Sequence, residues 1–353
     1  MNKHLSLQGA KRKTANYSST NLVSDFFFDS ETDKRLPLIF QPLVADLDPI
    51  AWIEQNAADV KERLYNYGAV LFRNFKIETI THFQTFAGQL SPQLLDYKER
   101  SSPRTEVGQA IYTSTDYPAS QPIEFHNEQS YTKSWPMKLW FYCQTPSVTG
   151  GETPIADGRV VIKRLSPETV RTFREKRVLY RRNYGHGLGL SWQEAFQTDS
   201  RREVENFCRR EKISFQWIGS EQLRTEQIFD AVIEHPVTGE TVWFEHAAFF
   251  HISGLPENVR DSFSQEFSEE NLPSNTFFGD GTPIQPEYLD EIRQAYKDAA
   301  VQFTWQKNDL LLIDNMLVSH SRNPFSGERK VLVAMAELHH AKPMRRSADR
   351  LSN

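Results

Sequence analysis

The sequence predicts a mainly β fold of the α+β class, in which strands build the core and helices flank it. Aromatic residues make up 12% of the chain, with 24 Phe and 7 Trp, and large rings of this kind are favoured in buried sheets. Residues 138–143 are a strongly β-forming run. With 353 residues, the chain is long enough for one large domain with insertions or for two small ones, and no sequence feature requires a split.

Charge and composition exclude several classes of protein. The formal net charge is −5, so the chain lacks the basic excess that binding to a nucleic acid backbone requires. No apolar run reaches about eighteen residues, and the polar N-terminus lacks the apolar core of a signal peptide. Cys143 and Cys208 are too few for a disulfide framework. We therefore expect a cytoplasmic protein without a nucleic acid partner or a membrane segment.

The first elements follow from apolar spacing and turn residues. Residues 1–33 are expected to form a mobile N-terminal segment in which only Phe26–Phe28 packs onto the domain. Apolar side chains recur at helical spacing over residues 49–67, and Gly68 ends this helix. Residues 69–72 then form a buried strand.

The next region mixes regular elements with a polar stretch. Residues 80–90 are predicted to be a helix that ends before Pro92. Residues 96–120 are polar and irregular, so this segment is either a wall or lid of a pocket or a plain surface loop. After the strand 138–143, the pair Gly150 and Gly151 predicts a tight turn.

The middle of the chain alternates helices and strands. Ser166 and the proline after it open a helix that runs to about Lys176, with a strand at 178–180 behind it. The spacing of apolar residues over 191–210 predicts a helical insertion between strands. The runs 231–233 and 241–244 flank a Pro-Val-Thr-Gly turn and predict a β-hairpin.

The last third closes the fold. Helices are predicted at 256–267 and 286–299, and strands at 301–305, 309–313 and 330–337. We expect a single domain over residues 34–342 with a helical insertion at about 186–212, followed by a C-terminal tail at residues 343–353.

Three side chains suggest a metal site. His126 and Glu128 are two residues apart, and on a strand such residues face the same side, so both can approach one ion. His320 would come from a neighbouring strand or turn. Two histidines and one carboxylate form the facial triad that binds non-haem Fe(II) and leaves positions open. The His-X-Glu pattern alone matches often by chance. It indicates a metal site here because a distant histidine, His320, follows near the last strands, and Arg329 lies nine residues after that histidine.

Further residues would suit a dicarboxylate co-substrate such as 2-oxoglutarate. Arg329 is our choice for its distal carboxylate, because the planar and permanently charged guanidinium binds a carboxylate with two hydrogen bonds. Arg322 either points to the same pocket or is a surface charge. Thr153 either supplies a hydroxyl to the co-substrate or satisfies its own turn. His246, with Glu245 before it, either faces the substrate or is an ordinary core residue.

The combination of motifs resembles one superfamily. Segments at Gly68–Arg73, His126–Glu128, Gly150–Thr153 and from Asp314 through His320 to Arg329 are similar to the taurine dioxygenase and clavaminate synthase-like superfamily. The runs Phe278–Ile284 and Pro324–Gly327 most resemble its branch that contains the syringomycin-pathway aspartate hydroxylase. The matches span residues 60 to 337 approximately.

This resemblance implies a double-stranded β-helix, or jelly-roll, with iron at the mouth of the barrel. It also implies His126, Glu128 and His320 as Fe(II) ligands, with Thr153 and Arg329 on 2-oxoglutarate. Two departures stand out: taurine dioxygenase has Asp in place of Glu128, and it carries its co-substrate arginine further beyond the distal histidine.

The resemblance further implies an Fe(II)- and 2-oxoglutarate-dependent oxygenase that uses O2 and hydroxylates an amino acid, either free or tethered to a peptidyl carrier protein, in natural-product biosynthesis. The carboxylate of Glu128 disfavours halogenation, which requires a small residue there so that chloride can bind. The alternatives are a desaturase, a cyclase or a catabolic dioxygenase on the same iron, and, in a different class, a barrel that binds a metal or ligand without turnover.

Overall fold

The computed structural model describes residues 22–28, 35–96, 105–114, 117–185, 189–255 and 257–341. Within these ranges the helices are α1 Pro49–Tyr67, α2 Ile80–Leu90, α3 Gly158–Arg164, α4 Pro167–Lys176, α5 Trp192–Phe196, α6 Arg201–Glu211, α7 Ala247–Phe250, α8 Glu257–Glu266 and α9 Pro286–Ala299, with short 3-10 turns at Ile252–Gly254 and Glu269–Asn271.

The strands of the same ranges are β1 Val23–Phe26, β2 Leu38–Pro42, β3 Ala69–Phe72, β4 Glu106–Gly108, β5 Ile111–Thr113, β6 Ile123–His126, β7 Ser134–Thr145, β8 Thr149–Gly150, β9 Ile155–Asp157, β10 Val178–Tyr184, β11 Ser214–Ile218, β12 Gln222–Phe229, β13 Val232–Glu234, β14 Thr241–Trp243, β15 Ser274–Phe278, β16 Ala300–Val301, β17 Leu310–Asp314, β18 Val318–Arg322, β19 Phe325–Ser326 and β20 Lys330–His340.

A large sheet forms one layer of the fold. It contains eight strands in the order β1-β2-β3-β17-β7-β20-β5-β4, and every pairing is antiparallel except β2 with β3. Side chains alternate between its faces. Leu139 and Phe141 of β7 therefore enter one apolar cluster, whereas Trp140 and Tyr142 enter a second cluster under the helices. Because both faces are covered, residues 139–143 of β7 are apolar without interruption.

A smaller sheet faces the large one and carries the site. Its order is β16-β9-β18-β6, and Ile155 of β9 and Val318 of β18 pack into the same cluster as Leu139 and Phe141. Two sheets with a shared apolar core are the layers of a jelly-roll. The cluster lies between them and holds the site strands in place.

Helices α1 and α2 cover the outer face of the large sheet, and both have the predicted bounds. Asp48 caps α1 by accepting hydrogen bonds from the amides of Ile50 and Ala51, at 3.0 and 3.2 Å. Gly68 ends the helix with φ of +77°, and a Cβ there would lie 2.5 Å from Val318 Cγ2. Both the backbone angle and the contact require glycine at this position.

A side sheet and the remaining helices pack beside the barrel. The sheet has the order β11-β12-β10-β15, and α5 and α6 build a small apolar cluster against it. The insertion predicted at about 186–212 thus contains two helices and not one, since Ser200 caps the second helix separately. The predicted hairpin is confirmed by the antiparallel pairing of β13 with β14.

Several predicted elements differ from the structure. Of the predicted strand 301–305 only Val301 pairs, as the second residue of β16, because Phe303 and Trp305 are buried as packed rings without a ladder partner. The segment 96–120 includes β4 and β5, which join the large sheet. The prediction left His320 on either a strand or a turn, and the structure places it in β18; the Ser-His-Ser-Arg sequence lacks a strand's apolar composition, so the local pattern does not decide between the two.

The predicted N-terminal boundary is also too late. Strand β1 pairs with β2 over Val23–Phe26, Phe27 packs edge-on against Tyr67, and Phe28 stacks on Phe303. Residues 22–28 are therefore part of the sheet and do not belong to a mobile segment. The rest of the predicted segment 1–33 and the tail 343–353 lie outside the described residues.

Among the helices of the described ranges, none combines the length and the apolar composition that crossing a bilayer requires.

Candidate metal centre

His126, Glu128 and His320 meet at one point. His126 ends β6 and is directly paired with His320 of β18, and their ring centroids are 4.3 Å apart. One ligand atom from each of the three residues lies within 4.8 Å of the others. The sequence placed Glu128 on the same strand face as His126, whereas the structure places it in the turn that follows β6. The convergence is therefore produced by the turn and by strand pairing.

The hydrogen bonding of His126 suits a metal ligand. Its Nδ1 lies 2.8 Å from the backbone oxygen of Glu124. A carbonyl oxygen only accepts, so Nδ1 carries the proton and Nε2 keeps its lone pair for an ion. Two imidazoles and one carboxylate are the donor set that non-haem Fe(II) takes with open positions. The residues present fit this metal.

Asn315 contacts the backbone of Glu128 on both sides. Its Oδ1 accepts from the Glu128 amide at 2.8 Å, and its Nδ2 donates to the Glu128 carbonyl at 2.9 Å. The sequence motif contained Asn315 without assigning it a role. No local pattern reveals this contact, because the two residues are 187 positions apart.

A cavity extends from His126 and His320 toward Thr153 and Arg329. Arg329 Nε donates to the Gly151 carbonyl at 2.8 Å, and its Nη2 lies 3.4 Å from Thr153 Oγ1. Burial, together with the charge of Arg322, lowers the pKa of Arg329 to about 10, so it remains a cation at neutral pH. Such a buried cation favours an anion beside it.

Thr153 is oriented for the same anion. Its Oγ1 accepts from Trp305 Nε1 at 3.1 Å and from Arg329 Nη2 at 3.4 Å. Since these two donors occupy the oxygen, the Thr153 hydroxyl proton is directed to a further acceptor. A cation and a hydroxyl at one end of a cavity are a suitable pair for a carboxylate.

Arg322 lines the same cavity and is 6% exposed, which excludes a surface charge. Its Nη1 donates to the carbonyl of Tyr117, and its Nη2 donates to those of Pro118 and Gln121, at 3.1, 2.7 and 2.9 Å. Burial lowers its pKa. Arg322 therefore ties the exposed segment 117–121 to the lining of the cavity, and of the predicted segment 96–120 it is Ser114 that lines the cavity itself.

His246 lies beside His126, with ring centroids 5.2 Å apart. Burial, and then the proximity of His126, lower its pKa well below the usual range, so the ring is neutral. Its Nδ1 is 3.3 Å from the Asn127 carbonyl. Glu245 turns away from the site, since it accepts from Tyr296 Oη at 3.1 Å and from the amide of Ala248 at 3.1 Å. Of the two, His246 alone borders the metal centre.

Comparisons with known proteins agree with this arrangement. The family model described as Taurine catabolism dioxygenase TauD, TfdA family matches residues 34–335. The dapdiamide synthesis protein DdaC of Enterobacter agglomerans is 38% identical over 308 residues, which cover 84% of this chain and 94% of DdaC. A clavaminate synthase-like protein of Arabidopsis thaliana is 28% identical over 285 residues, covering 78% of this chain and 83% of the relative.

Solved structures show the same fold. PvcB from Pseudomonas aeruginosa superimposes with a TM-score of 0.53 at 14% identity, covering 91% of this chain and 93% of PvcB. A second PvcB structure gives 0.52 at 14% identity and covers 95% and 94%. The predicted jelly-roll is thereby confirmed. The chain belongs to the TauD/TfdA family, and it is a 2-oxoglutarate-dependent non-haem iron dioxygenase that uses Fe(II), 2-oxoglutarate and O2.

Proposed function

We propose that this dioxygenase hydroxylates an unactivated C–H bond of an amino-acid-like small molecule in natural-product biosynthesis. The observation that carries the proposal is the meeting of the Glu128 carboxylate with the two histidines within 4.8 Å. A carboxylate at this position occupies the coordination site that a halogenase leaves to chloride. The geometry therefore favours transfer of oxygen over transfer of halogen.

In this proposal His126, Glu128 and His320 hold Fe(II). With 2-oxoglutarate and O2, the bound iron supplies the oxidation in which R–H becomes R–OH while 2-oxoglutarate becomes succinate and CO2. The Glu124 carbonyl keeps the His126 ring in the tautomer that exposes Nε2. The protein thus contributes a rigid, mostly buried set of three donors.

Arg329 and Thr153 hold the distal carboxylate of 2-oxoglutarate in this proposal. The buried guanidinium supplies charge and direction, and the hydroxyl supplies a second donor. Arg322 also lines this cavity, but its guanidinium donates three hydrogen bonds to the carbonyls of Tyr117, Pro118 and Gln121. In this proposal it orders the segment 117–121 beside the cavity and leaves the carboxylate to Arg329.

The identity of the substrate class is supported by one relative and one part of the site. DdaC, at 38% identity, is named for dapdiamide synthesis. The ring of His246 lies 5.2 Å from that of His126; behind His246, the ring of Tyr131 is 4.9 Å from it, and the guanidinium of Arg182 lies 5.6 Å from the Tyr131 ring. A cation bordered by aromatic rings suits the carboxylate of an amino acid.

The proposal is tested by a mass-spectrometric screen of amino acids, both free and loaded on a peptidyl carrier protein, with Fe(II), 2-oxoglutarate and O2. We expect one substrate to gain a single oxygen atom, with one succinate formed per product. The His126→Ala variant serves as the control and should give neither. Loss of two hydrogens from the substrate would indicate a desaturase or cyclase, and a C–S or C–O cleavage product would indicate a catabolic dioxygenase.

A further inference from the structure

We propose that Asn315 is a positioning residue for the metal centre, which aims the Glu128 carboxylate by clamping the Glu128 backbone with its side-chain amide. This inference rests on the proposed ligand role of Glu128. It goes beyond the ligand set, because Asn315 itself touches neither the metal position nor the cavity.

The need for such a clamp follows from the local backbone. Glu128 lies just past the end of β6, so no neighbouring strand pairs with its amide and carbonyl. Gln129, the next residue, has a φ of +56°, a conformation that side chains other than glycine rarely adopt. Without a further restraint, the turn would not fix the direction of the Glu128 side chain.

The amide of Asn315 supplies the restraint that a strand would otherwise give. Its Oδ1 accepts from the Glu128 N–H at 2.8 Å, and its Nδ2 donates to the Glu128 carbonyl at 2.9 Å. A side-chain amide carries a carbonyl acceptor and an NH2 group with two donor hydrogens, so it can pair with an N–H and a C=O at once. Among side chains of this length, only asparagine satisfies both groups together.

The clamp is itself fixed from several sides. Asn315 Nδ2 also donates to the Pro136 carbonyl at 2.9 Å, and Asn127 Nδ2 donates back to the Asn315 carbonyl at 2.7 Å. Asn315 and Asn127 are both 0% exposed. A closed set of buried hydrogen bonds has one arrangement, so the position of Glu128 is determined by that of Asn315.

Asp314 anchors the turn that presents Asn315. Its Oδ1 accepts from the amides of Met316 and Leu317, at 3.1 and 3.2 Å, and its Oδ2 accepts from Lys138 Nζ at 2.9 Å. The turn is therefore rigid before it meets Glu128. Because the same chain segment continues into β18, Asn315 and His320 are carried by one rigid piece of the fold.

The experiment compares Fe(II) binding in the wild type with Asn315→Asp and Asn315→Leu. Asp keeps the acceptor and loses the donor, and Leu loses both at similar volume. We expect the dissociation constant for Fe(II), measured anaerobically by calorimetric titration, to rise by about 10- to 100-fold, as for other residues that orient metal ligands. The charge-transfer absorption band of the Fe(II) and 2-oxoglutarate complex should shift or weaken in parallel.

Asn183→Asp is the matched control. Asn183 is also a buried asparagine whose Nδ2 donates to two backbone carbonyls, those of Glu270 and Leu272, at 2.9 and 2.7 Å, but it lies in the side sheet. This variant should lose a similar amount of stability and keep wild-type Fe(II) affinity. Unfolding midpoints of the metal-free proteins show whether each variant folds.

The Asn315→Asp variant distinguishes an effect of the position of Glu128 from an effect of the added negative charge. An added carboxylate near the centre would strengthen cation binding if electrostatics governed affinity, so weaker binding supports positioning. Wild-type Fe(II) affinity in a folded Asn315→Leu, combined with lost affinity in His126→Ala, would overturn the clamp and leave the proposed centre intact. Unchanged affinity in His126→Ala would instead overturn the centre itself.

Discussion

His126 and His320 are direct partners across the antiparallel strands β6 and β18, with ring centroids 4.3 Å apart. Strand pairing fixes the separation of residues 194 positions apart in sequence (320 − 126). Two imidazoles at this distance form one side of a metal centre before any ion is present. The site is therefore as rigid as the sheet that carries it.

Metal binding should stabilise the fold through this pair. We expect Fe(II), or Mn(II) in air, at about 100 times its dissociation constant to stabilise the protein by about 2.7 kcal/mol, because the ion binds only the folded state. In His320→Ala this gain should largely disappear, while His82→Ala, which alters an exposed histidine of α2, should retain it. Differential scanning calorimetry measures both. An equal metal-induced gain in His320→Ala and wild type would argue against His320 as a ligand.

Arg329 should govern binding of the co-substrate. Replacing it with Gln removes a charged double donor that contributes about 1.5–3 kcal/mol, so the KM for 2-oxoglutarate should rise about 10- to 100-fold. Arg329→Lys should be intermediate, since it keeps the charge without the planar fork. Affinity for Fe(II) alone should not change, and this serves as the internal control. A KM for 2-oxoglutarate within twofold of wild type in Arg329→Gln would show that Arg329 does not bind the distal carboxylate.

Arg322 should control the order of the segment 117–121, which lies beside the cavity. In Arg322→Leu the carbonyls of Tyr117, Pro118 and Gln121 lose their donors, and each lost bond contributes about 1 kcal/mol. Hydrogen–deuterium exchange of the peptide that spans residues 117–121 should become at least about tenfold faster. Peptides of α1 report whether the effect is local. An unchanged exchange rate at 117–121 would show that contacts other than those of Arg322 hold this segment.

The buried pair of Lys138 and Asp314 should contribute to stability in a pH-dependent way. Burial alone would raise the pKa of Asp314, but Lys138 and then His235 outweigh it and lower that pKa to about 2. Because the folded-state pKa lies below the ordinary value of 3.8, the contribution is present above about pH 4 and is lost as pH falls toward 2.

Lys138→Met tests this contribution by removing the buried ammonium beside Asp314, which leaves the carboxylate in the core without its cationic partner. We expect the variant to lose about 3–5 kcal/mol at neutral pH, and the difference from wild type should shrink between pH 4 and pH 2. Urea unfolding at a series of pH values measures it. Lys133→Met is the control, because its ion pair with Glu211 is partly exposed and should contribute less than about 1 kcal/mol. A difference independent of pH would contradict the assignment.

Local signals in the sequence were sufficient for several of the helices. Helices α1, α2 and α9 have the bounds that periodicity, Gly68 and the flanking prolines predicted. These features act over a few residues, so the sequence records them directly. The strand run at residues 138–143 was recognised for the same reason, although pairing with two neighbours extends it to Ser134–Thr145.

Long-range contacts explain what the sequence did not reveal. Strand β18 consists of Val-Ser-His-Ser-Arg, and only pairing with β6 and β9 makes it a strand. Glu128 reaches the centre from a turn and not from the predicted strand face, and its partner Asn315 is far away in sequence. The motifs were sufficient to identify the residues that the structure brings together. The contacts that orient these residues are long-range and can be seen only in the folded chain.

The central claim is that His126, Glu128 and His320 hold one iron with room for 2-oxoglutarate beside Arg329. Anomalous diffraction at the iron edge, from crystals prepared anaerobically with Fe(II) and 2-oxoglutarate, tests it most directly. The account predicts one strong peak bonded to a nitrogen of each histidine and to a Glu128 oxygen, with the distal carboxylate of 2-oxoglutarate against Arg329. A peak bonded to other residues, or a His320 that does not reach the iron, would contradict it.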